Sequence, residues 1–376
     1  ALGMHVVLRI TAPDADPFIL PISVTLNGLG VAMIYRLDLA EGLSGWESAG
    51  VRQMVWTAIA MVIALAVLLV VRNHRILARY RYVAMVVGIG LLLLPMLPGI
   101  GQRIQLGPLS FQPGEIGKIA LAVFFAGYLV TARESLSIVG KTFLGMRFPR
   151  GKDLGPILIV WLAAMAVLVF QRDLGTSLLY FGLFLVMIYI ATGRLSWVVL
   201  GLSLFLGGAL IASQALGAFD PENYDAIGGS YQLVQGMFGL ANGGLIGTGL
   251  GQGRPDIVPL AESDFIIASL GEELGLVGLF AILGLYLLFV ARGFRIGFNG
   301  TDDFGRLLAV GLAFVIALQV FVVIGGVTRV IPLTGLTTPF LAAGGSSLLA
   351  NWIIAALLLR LSDTVRHQPR LVVNDA

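Results

Sequence analysis

The sequence predicts an all-α protein that crosses a membrane ten times. Apolar residues make up 57% of the chain and charged residues only 12%, and the mean hydropathy is +0.93, far above the values of soluble globular domains. Apolar stretches of about 20 residues, the length that an α-helix needs to cross a bilayer, recur along the chain. Arginines and lysines gather in alternate loops between these stretches, as expected for a polytopic protein.

Ten apolar spans are predicted in chain order. They lie near residues 17–36, 52–71, 80–98, 115–132, 155–170, 174–193, 195–213, 266–292, 306–326 and 340–361. Residues 1–16 are predicted to be an N-terminal extension that contains the end of an additional apolar helix. Residues 17–362 form the predicted membrane domain, and residues 363–376 form a tail. Because the chain begins with Ala rather than Met, we expect further N-terminal sequence to precede it.

The basic loops orient these spans in the membrane. Four arginines lie within residues 72–81, and five further basic residues lie within residues 133–153. Lys and Arg are retained in short cytoplasmic loops, so this side is predicted to be cytoplasmic. The opposite side carries residues 171–173 and the long segment 214–263. Asp264 therefore faces the extracytoplasmic surface in this prediction.

The loop of residues 214–263, between the seventh and eighth helices, is too long for an ordinary connection. Its middle, Tyr231 to Ile246, is apolar but short and interrupted by glycines. If this segment crossed the membrane, every later basic loop would change sides. We therefore predict a re-entrant or interfacial helix packed against protein or lining a cavity, and long structured loops of this kind are usually functional.

Composition limits the chemistry that the chain can perform. The absence of cysteine excludes disulfides, thiol catalysis and thiolate metal sites. The three histidines, His5, His74 and His367, lie in an apolar stretch or among arginines, so neither a histidine metal site nor a Ser-His-Asp triad is expected. Carboxylates and arginines must therefore carry the chemistry.

The first polar cluster on the predicted outer side is RIQLGPLSFQPGEIGK. Arg103 and Gln112 lie in the loop, and Pro113 suits the opening of a helix. Glu115 and Lys118 are three residues apart on the first turn, where they can pair. The cluster is either a helix start with a surface ion pair or a polar site for an anionic ligand.

Two further clusters have an ordinary structural interpretation beside the functional one. In QRDLGTS, Arg172 and Asp173 join two helices, and Asp173 either caps the second helix or serves a site. The segment GGLIGTGLGQG superficially resembles a phosphate-binding loop, but neither a preceding strand nor a following Lys-Ser/Thr is present. Close backbone packing or a bend is the better interpretation of these glycines.

The segment ESDFIIASLGEELG is the strongest candidate for chemistry. Asp264 lies at the predicted membrane boundary, beside glycines and a proline rather than in a basic loop. Ser263 is predicted to cap the following helix, Asp264 is predicted to be either a second cap or a functional group, and Glu272 and Glu273 are predicted one or two turns into that helix.

The last cluster is TRVIPLTGLTTPFLAAGGSSLLANW, which precedes the final helix. Its functional candidates are Arg329 and Ser346. The small residues from Gly344 to Ser347 are predicted to allow close helix packing.

These motifs occur together in one order. FQPGEIGK, QRDLGTS, YQLVQ with Gln232, GGLIGTGLG, ESDFIIASLGEELGLVG and PLTGLTTPFLAAGGSS resemble the SEDS family of shape, elongation, division and sporulation proteins over the whole ten-helix unit. The final motif and the extra N-terminal apolar sequence resemble the elongation branch of that family in high-GC Gram-positive bacteria.

The resemblance implies a peptidoglycan glycosyltransferase in the cytoplasmic membrane, with an extracytoplasmic active site that polymerises lipid II into undecaprenyl-pyrophosphate-linked glycan. It also implies a class B penicillin-binding protein as the transpeptidase partner, and no nucleic-acid partner is expected. Asp264 matches the family's essential aspartate. Membrane lipid is the expected contact of the basic residues from Arg360 to Arg370.

The implied reaction needs a base for the attacking hydroxyl and positive charge for the departing pyrophosphate. Asp264 is predicted to be that base or a ligand of a divalent cation, Mg²⁺ or Mn²⁺. Predicted substrate-binding residues are Arg103, Gln112, Glu115, Lys118, Arg172, Asp173, Gln232, Arg329 and Ser346. The alternatives are a lipid II flippase and a non-catalytic scaffold, but charges inside the spans are too sparse to favour a transport pathway.

Overall fold

A computed structural model describes residues 2–97, 104–107, 109–137, 139–143, 146–149, 159, 162–163, 166, 173–203 and 231–367. The helices are α1 (Leu2–Thr11), α2 (Ile19–Glu41), α3 (Ala49–Val70), α4 (Arg75–Arg79), α5 (Arg81–Leu93), α6 (Pro113–Ser137), α7 (Leu174–Thr192), α8 (Tyr231–Gly243), α9 (Ile266–Asn299), α10 (Asp303–Val327) and α11 (Gly345–Arg366). Residues 195–203 are also helical.

The protein is a multi-pass membrane protein. Within the described ranges, seven helices are long and apolar enough to span a bilayer: α2, α3, α6, α7, α9, α10 and α11. They lie within a few residues of seven predicted spans. The predicted span 80–98 corresponds to the shorter α5 and a following 3-10 turn, Leu94–Met96. Spans 155–170 and 195–213 fall largely outside the described residues, so the count of ten stays a prediction.

Two short β-hairpins lie before and after α6, which the all-α prediction missed. Strands β1 (Ile104–Leu106) and β2 (Leu109–Phe111) pair in antiparallel fashion directly before α6. Strands β3 (Val139–Phe143) and β4 (Met146–Pro149) form a second pair after α6. Both hairpins are only three to five residues per strand, too short for a clear alternating pattern in the sequence.

Helices α10 and α11 form the centre of the bundle. Helix α10 packs against α6, α7 and α9, and α11 packs against α3. Small residues allow this close approach, because a Cβ at Gly345 would lie only 2.0 Å from the Trp56 ring of α3. The predicted close packing around Gly344–Ser347 is therefore confirmed.

The end of the bundle opposite Asp264 is rich in arginine, and we call it the arginine-rich end. Here the buried Asp16 forms ion pairs with Arg292 of α9 and Arg366 of α11, each with a nitrogen 3.0 Å from Oδ2. Arg292 donates a hydrogen bond to Oδ1 at 3.2 Å, and Arg366 donates one to Oδ2. Arg360 donates to the backbone carbonyls of Thr11 and Val71. Arg360 and Arg366, expected to meet lipid, are thus engaged within the protein, and Arg370 lies outside the described residues.

Candidate active site

The segment that carries Asp264 is built on a kink in α9. Gly275 has φ 68° and ψ −173°, which interrupts the helix. The glycine-rich loop after α8 pairs with the interrupted backbone: the amides of Thr248 and Gly249 donate to the carbonyls of Glu272 and Glu273 at 2.9 and 3.0 Å. A Cβ at Gly275 would lie 2.2 Å from the amide nitrogen of Gly247. The predicted use of these glycines for a bend and close backbone packing is confirmed.

Two carboxylates beside the kink fix the loop that follows α8. Glu272 and Glu273 are 3% and 1% exposed, respectively. Glu272 accepts from the side chain of Asn242 and the amide of Arg254, at 3.0 and 2.9 Å. Glu273 accepts from the amide of Gly251 and lies 2.6 Å from Nε of Arg36 on α2. These buried acids are fully engaged in holding the loop against α2 and α9, which explains their place in the apolar helix.

Asp264 lies in a tight turn immediately before α9. Leu260 has φ 57°, and its carbonyl accepts from the amides of both Ser263 and Phe265 at 3.1 and 3.2 Å. The N-cap of α9 is therefore Phe265, and no side chain of the described residues caps it. The prediction that Ser263 caps this helix is wrong, because the turn moves the helix start two residues further along. Asp264, which is half-buried, is not the cap either.

A polar cavity of about 160 Å³ borders this turn. It brings together Glu262 and Ser263, Gln112 from the loop before α6, and Ser346 from the first turn of α11. The hydroxyl of Ser346 accepts from the amide of Gln112 at 3.1 Å. The cavity thus unites two predicted binding residues, Gln112 and Ser346, with the residues directly before Asp264.

Lys118 lies below this cavity in a buried polar network. Its Nζ lies 2.6 Å from Oε2 of Glu115, 2.8 Å from the side-chain oxygen Oε1 of Gln319 and 3.4 Å from Oδ1 of Asn351. The predicted pair with Glu115 forms, but it is buried rather than on the surface. Gln319 continues the network to the backbone carbonyl of Thr337, a residue that lines the cavity.

Asp173 caps α7, which confirms the structural interpretation of that residue. Its Oδ1 accepts from the amide of Thr176 at 2.8 Å, and its Oδ2 accepts from the Thr176 hydroxyl at 2.7 Å. Burial raises the pKa of Asp173, and the nearby charge of Glu115 raises it further against the effect of the Thr176 hydrogen bonds. Asp173 therefore lies close to the Lys118 network.

The other predicted binding residues lie apart from the cavity or outside the described residues. Gln232 is half-buried at the start of α8, and Arg329 is exposed with φ 63°. Neither lines the cavity. Arg103 and Arg172 lie outside the described residues.

Sequence reasoning missed three residues of the cavity: Arg52 and Gln53 on the first turn of α3, and Thr337 in the loop before α11. Gln53 joins these elements, because its amide nitrogen donates to the Ala342 carbonyl and its oxygen accepts from the Gly344 amide. The pair Arg52-Gln53 at the start of an apolar span was a detectable signal, since polar residues are costly there without partners.

Whether a divalent cation binds at Asp264 stays a prediction, because the structure shows oxygen-bearing neighbours in the chain but no group of acids around Asp264 close enough to share an ion among the described residues. Glu262 and Ser263 supply further oxygens next to Asp264. Mg²⁺ commonly binds one or two carboxylates together with water and substrate phosphates, so a complete protein cage is unnecessary. In the part of the chain that the structure describes, the acids and histidine close enough to share an ion are Asp14, Asp363 and His367. These residues lie at the arginine-rich end.

Comparison with known proteins identifies the family of the chain. The profile of the FtsW, RodA and SpoVE proteins, described as cell cycle proteins, matches residues 18–367. The chain belongs to this family. The resemblance indicated by the sequence motifs is therefore confirmed. Helix α1 lies outside the matched range.

The family's curated members include close relatives of the chain. It is 47% identical to the peptidoglycan glycosyltransferase RodA of Mycobacterium leprae, over 97% of this chain and 82% of that protein. It is 31% identical to stage V sporulation protein E of Bacillus subtilis, over 95% and 99%. The mycobacterial similarity agrees with the predicted elongation branch.

Solved structures of the family share the fold. The Thermus thermophilus rod shape determining protein RodA aligns with a TM-score of 0.67 and 24% identity, covering 94% of this chain and 98% of that one. A chain from a structure described as "Structural coordination of polymerization and crosslinking by a peptidoglycan synthase complex" aligns with a TM-score of 0.71 and 25% identity, covering 94% and 99%.

Proposed function

We propose that this protein is a peptidoglycan glycosyltransferase that polymerises lipid II into glycan strands during cell elongation, at the outer face of the cytoplasmic membrane of a bacterium. The observation that carries the proposal is the polar cavity beside Asp264, in a chain 47% identical to a peptidoglycan glycosyltransferase over nearly its whole length. The basic loops at the opposite end support the outward orientation of this cavity.

The reaction is an inverting displacement. The 4-hydroxyl of one lipid II sugar attacks the anomeric carbon of the growing glycan, whose α-linked undecaprenyl pyrophosphate departs as the β-linkage forms. Asp264 takes the proton of the attacking hydroxyl as general base, and such assistance is typically worth 10²- to 10⁴-fold in rate. The half-buried position of Asp264 beside the polar cavity suits this role.

The second role proposed for Asp264 is to bind a divalent cation, Mg²⁺ or Mn²⁺. Asp264 would hold it, and Glu262, two residues earlier in the same turn, is a proposed second carboxylate. A bound cation would neutralise the charge that develops on the departing pyrophosphate. Arg103, Arg172 and Arg329 stay proposed pyrophosphate ligands. Lys118 stays a proposed contributor, and its engagement with Glu115, Gln319 and Asn351 supports an indirect influence from below the cavity.

The proposed partner is a class B penicillin-binding protein that crosslinks the new glycan. The relative solved within a peptidoglycan synthase complex supports such an assembly. Exposed apolar side chains along α9 and α10, among them Phe280, Leu287 and Phe321, offer a face for a single-pass helix, although lipid suits such side chains equally well.

The deciding experiment is polymerisation of purified lipid II by the purified protein, with and without the penicillin-binding partner and divalent metal. Wild type is compared with Asp264→Asn, and Glu47→Gln is the matched control because Glu47 is an exposed carboxylate at the same end of the bundle. We expect Asp264→Asn to lower the rate at least 100-fold and the control to match wild type.

Two results would overturn the proposal. Normal polymerisation by folded Asp264→Asn would remove Asp264 from the chemistry. A folded, partner-bound wild type that makes no glycan in any condition would favour the scaffold, or the flippase if it moves labelled lipid II across proteoliposome membranes.

A further inference from the structure

The cavity beside Asp264 is lined by an arginine that forms no ion pair with an acid of the described residues. Arg52 lines it from the first turn of α3. In contrast, Arg36, Arg254, Arg292 and Arg366 are each within 4.0 Å of a carboxylate. No carboxylate among the described residues, Glu262 of the same cavity included, forms such a pair with Arg52. The guanidinium stays charged in proteins, so it gives this part of the cavity a fixed positive charge.

Backbone contacts hold the Arg52 side chain in place. Its Nη1 donates to the carbonyls of Trp46 and Glu47 at 2.8 and 2.9 Å. These are the residues of the short turn before α3, so the guanidinium is anchored from one side. Both of these bonds come from Nη1, and no hydrogen bond of Nε or Nη2 to a described residue is formed, so these groups have N–H donors for a ligand. Anchoring in advance reduces the entropy that a ligand must overcome to order the side chain.

The same cavity offers two further kinds of hydrogen-bond donor. Helix α11 begins at Gly345, and no side chain in the described ranges caps its first turn, which lines the cavity with Gly345, Ser346 and Ser347. Uncapped amides at a helix N-terminus favour anions. Thr337 also lines the cavity, and its hydroxyl is buried without a hydrogen-bond partner in the described structure. A buried unpaired hydroxyl is costly, so it marks a place where a ligand completes the hydrogen bonds.

The geometry points to a pyrophosphate-binding subsite formed by Arg52, the first turn of α11 and the Thr337 hydroxyl. We propose that it holds the pyrophosphate of the polyprenyl-linked substrate while its sugar reaches Asp264. The cavity volume of about 160 Å³ greatly exceeds the roughly 10–15 Å³ that one water requires. Arg52 can bind the group through bidentate hydrogen bonds, and the helix adds amide donors. The inference rests on the proposed glycosyltransferase function and assigns a role to a residue of α3.

The experiment measures KM for lipid II and competitive inhibition by undecaprenyl pyrophosphate with the full-length protein and its partner. Arg52→Gln is compared with Arg254→Gln, because Arg254 lies at the same end of the bundle but is exposed and outside the cavity. We expect Arg52→Gln to raise KM and the inhibition constant together by roughly 10- to 100-fold, the range for lost charge-assisted hydrogen bonds. We expect Arg254→Gln to change neither constant more than twofold.

The Thr337 hydroxyl allows an independent test of the subsite with its own control. Thr337→Val removes a donor from the cavity, whereas Thr338→Val removes an equally buried and unpaired hydroxyl that does not line it. We expect the first variant to raise the inhibition constant by roughly 2- to 10-fold and the second to leave it unchanged. A purely structural role for Arg52 would lower the thermal stability of Arg52→Gln without changing the inhibition constant.

The outcomes separate the subsite from the enzyme. Wild-type polymerisation with an unchanged inhibition constant in Arg52→Gln overturns the subsite and leaves the proposed function standing. An inactive wild type overturns the proposed function instead. If Arg52→Gln does not fold, Arg52→Lys keeps the charge without the planar fork, and its inhibition constant is expected to rise several-fold. A wild-type value in Arg52→Lys would overturn the bidentate contact.

Discussion

Replacing Lys118 with Met should destabilise the bundle strongly, because it leaves a buried carboxylate without its counter-charge. Lys118 is 1% exposed, and Glu115 is 6% exposed. The change removes the 2.6 Å ion pair and also the donor to Gln319 and Asn351. Met has a similar length and no charge, so packing is largely preserved and the electrostatic loss dominates.

The magnitude follows from the burial of the pair. Breaking a buried ion pair by removing one partner costs about 3–5 kcal/mol, whereas replacing both partners with apolar side chains is often nearly neutral. In Glu115→Leu/Lys118→Met the acceptors on Gln319 and Asn351 still lose their donor, which costs about 1–3 kcal/mol for each acceptor left unsatisfied. We therefore expect Glu115→Leu to restore part of the stability that Lys118→Met loses, with a coupling energy of about 2 kcal/mol.

The assay is equilibrium unfolding in mixed detergent micelles of wild type, both single variants and the double variant. A double-mutant cycle isolates the interaction between the two side chains. A single Lys118→Met variant as stable as wild type would refute the buried pair, as would a double variant in which the two losses simply add. Loss of polymerisation in a stable double variant would then report a role of the pair beyond folding.

Two other predictions concern the kink and the arginine-rich end. Gly275→Ala should lower the melting temperature in detergent and reduce polymerisation. The positive φ costs about 1–2 kcal/mol for an L-residue, and the new Cβ would lie 2.2 Å from the amide nitrogen of Gly247. The control Gly284→Ala, with open space around it, should match wild type. Burial alone would raise the pKa of Asp302, but the hydrogen bonds from His74 and the Gly305 amide lower it overall. The ionised Asp302 therefore stabilises the folded protein at pH values above its ordinary pKa of 3.8, and this stabilisation is lost as the pH falls through the lower pKa of the folded state. Asp302→Asn should melt at a lower temperature than wild type at pH 7, and the two melting temperatures should converge in acid. A difference in melting temperature that does not depend on pH would contradict this linkage.

The membrane-spanning part of the fold was largely predictable from composition. Long apolar stretches and basic loops located seven of the described helices within a few residues, because bilayer thickness fixes the length of a spanning helix. The position of the kink at Gly275 could not be predicted, since it depends on backbone pairing with the loop that contains Thr248 and Gly249. Such pairing joins residues distant in the chain and leaves no local periodic signal.

Only part of the candidate site was predicted, because the site too is formed by residues that are distant in the chain. Gln112 and Ser346 were found because each is a polar residue in a short motif next to a span. Thr337 was missed because it is ordinary in its local sequence and gains meaning only where α3 meets the loop before α11, whereas Arg52 stood out locally as a polar residue at the start of an apolar span and was overlooked. The Ser263 cap failed because the turn at Leu260 shifts the beginning of α9.

The shared contact at Asp16 has a mechanical consequence for the cavity at the other end. Helices α9 and α11 meet there through Arg292 and Arg366, and their opposite ends carry the turn of Asp264 and the first turn of α11. A movement that keeps the Asp16 contacts rotates the two helices relative to each other about this point, which acts as a pivot. If they were straight, residues 266–292 would span roughly 40 Å at 1.5 Å per residue. The kink at Gly275 shortens this length, so a rotation of about 3° at the pivot moves the far tip by at most about 2 Å. A small rotation at the arginine-rich end would thus displace the residues around the polar cavity by a distance comparable with the length of a hydrogen bond.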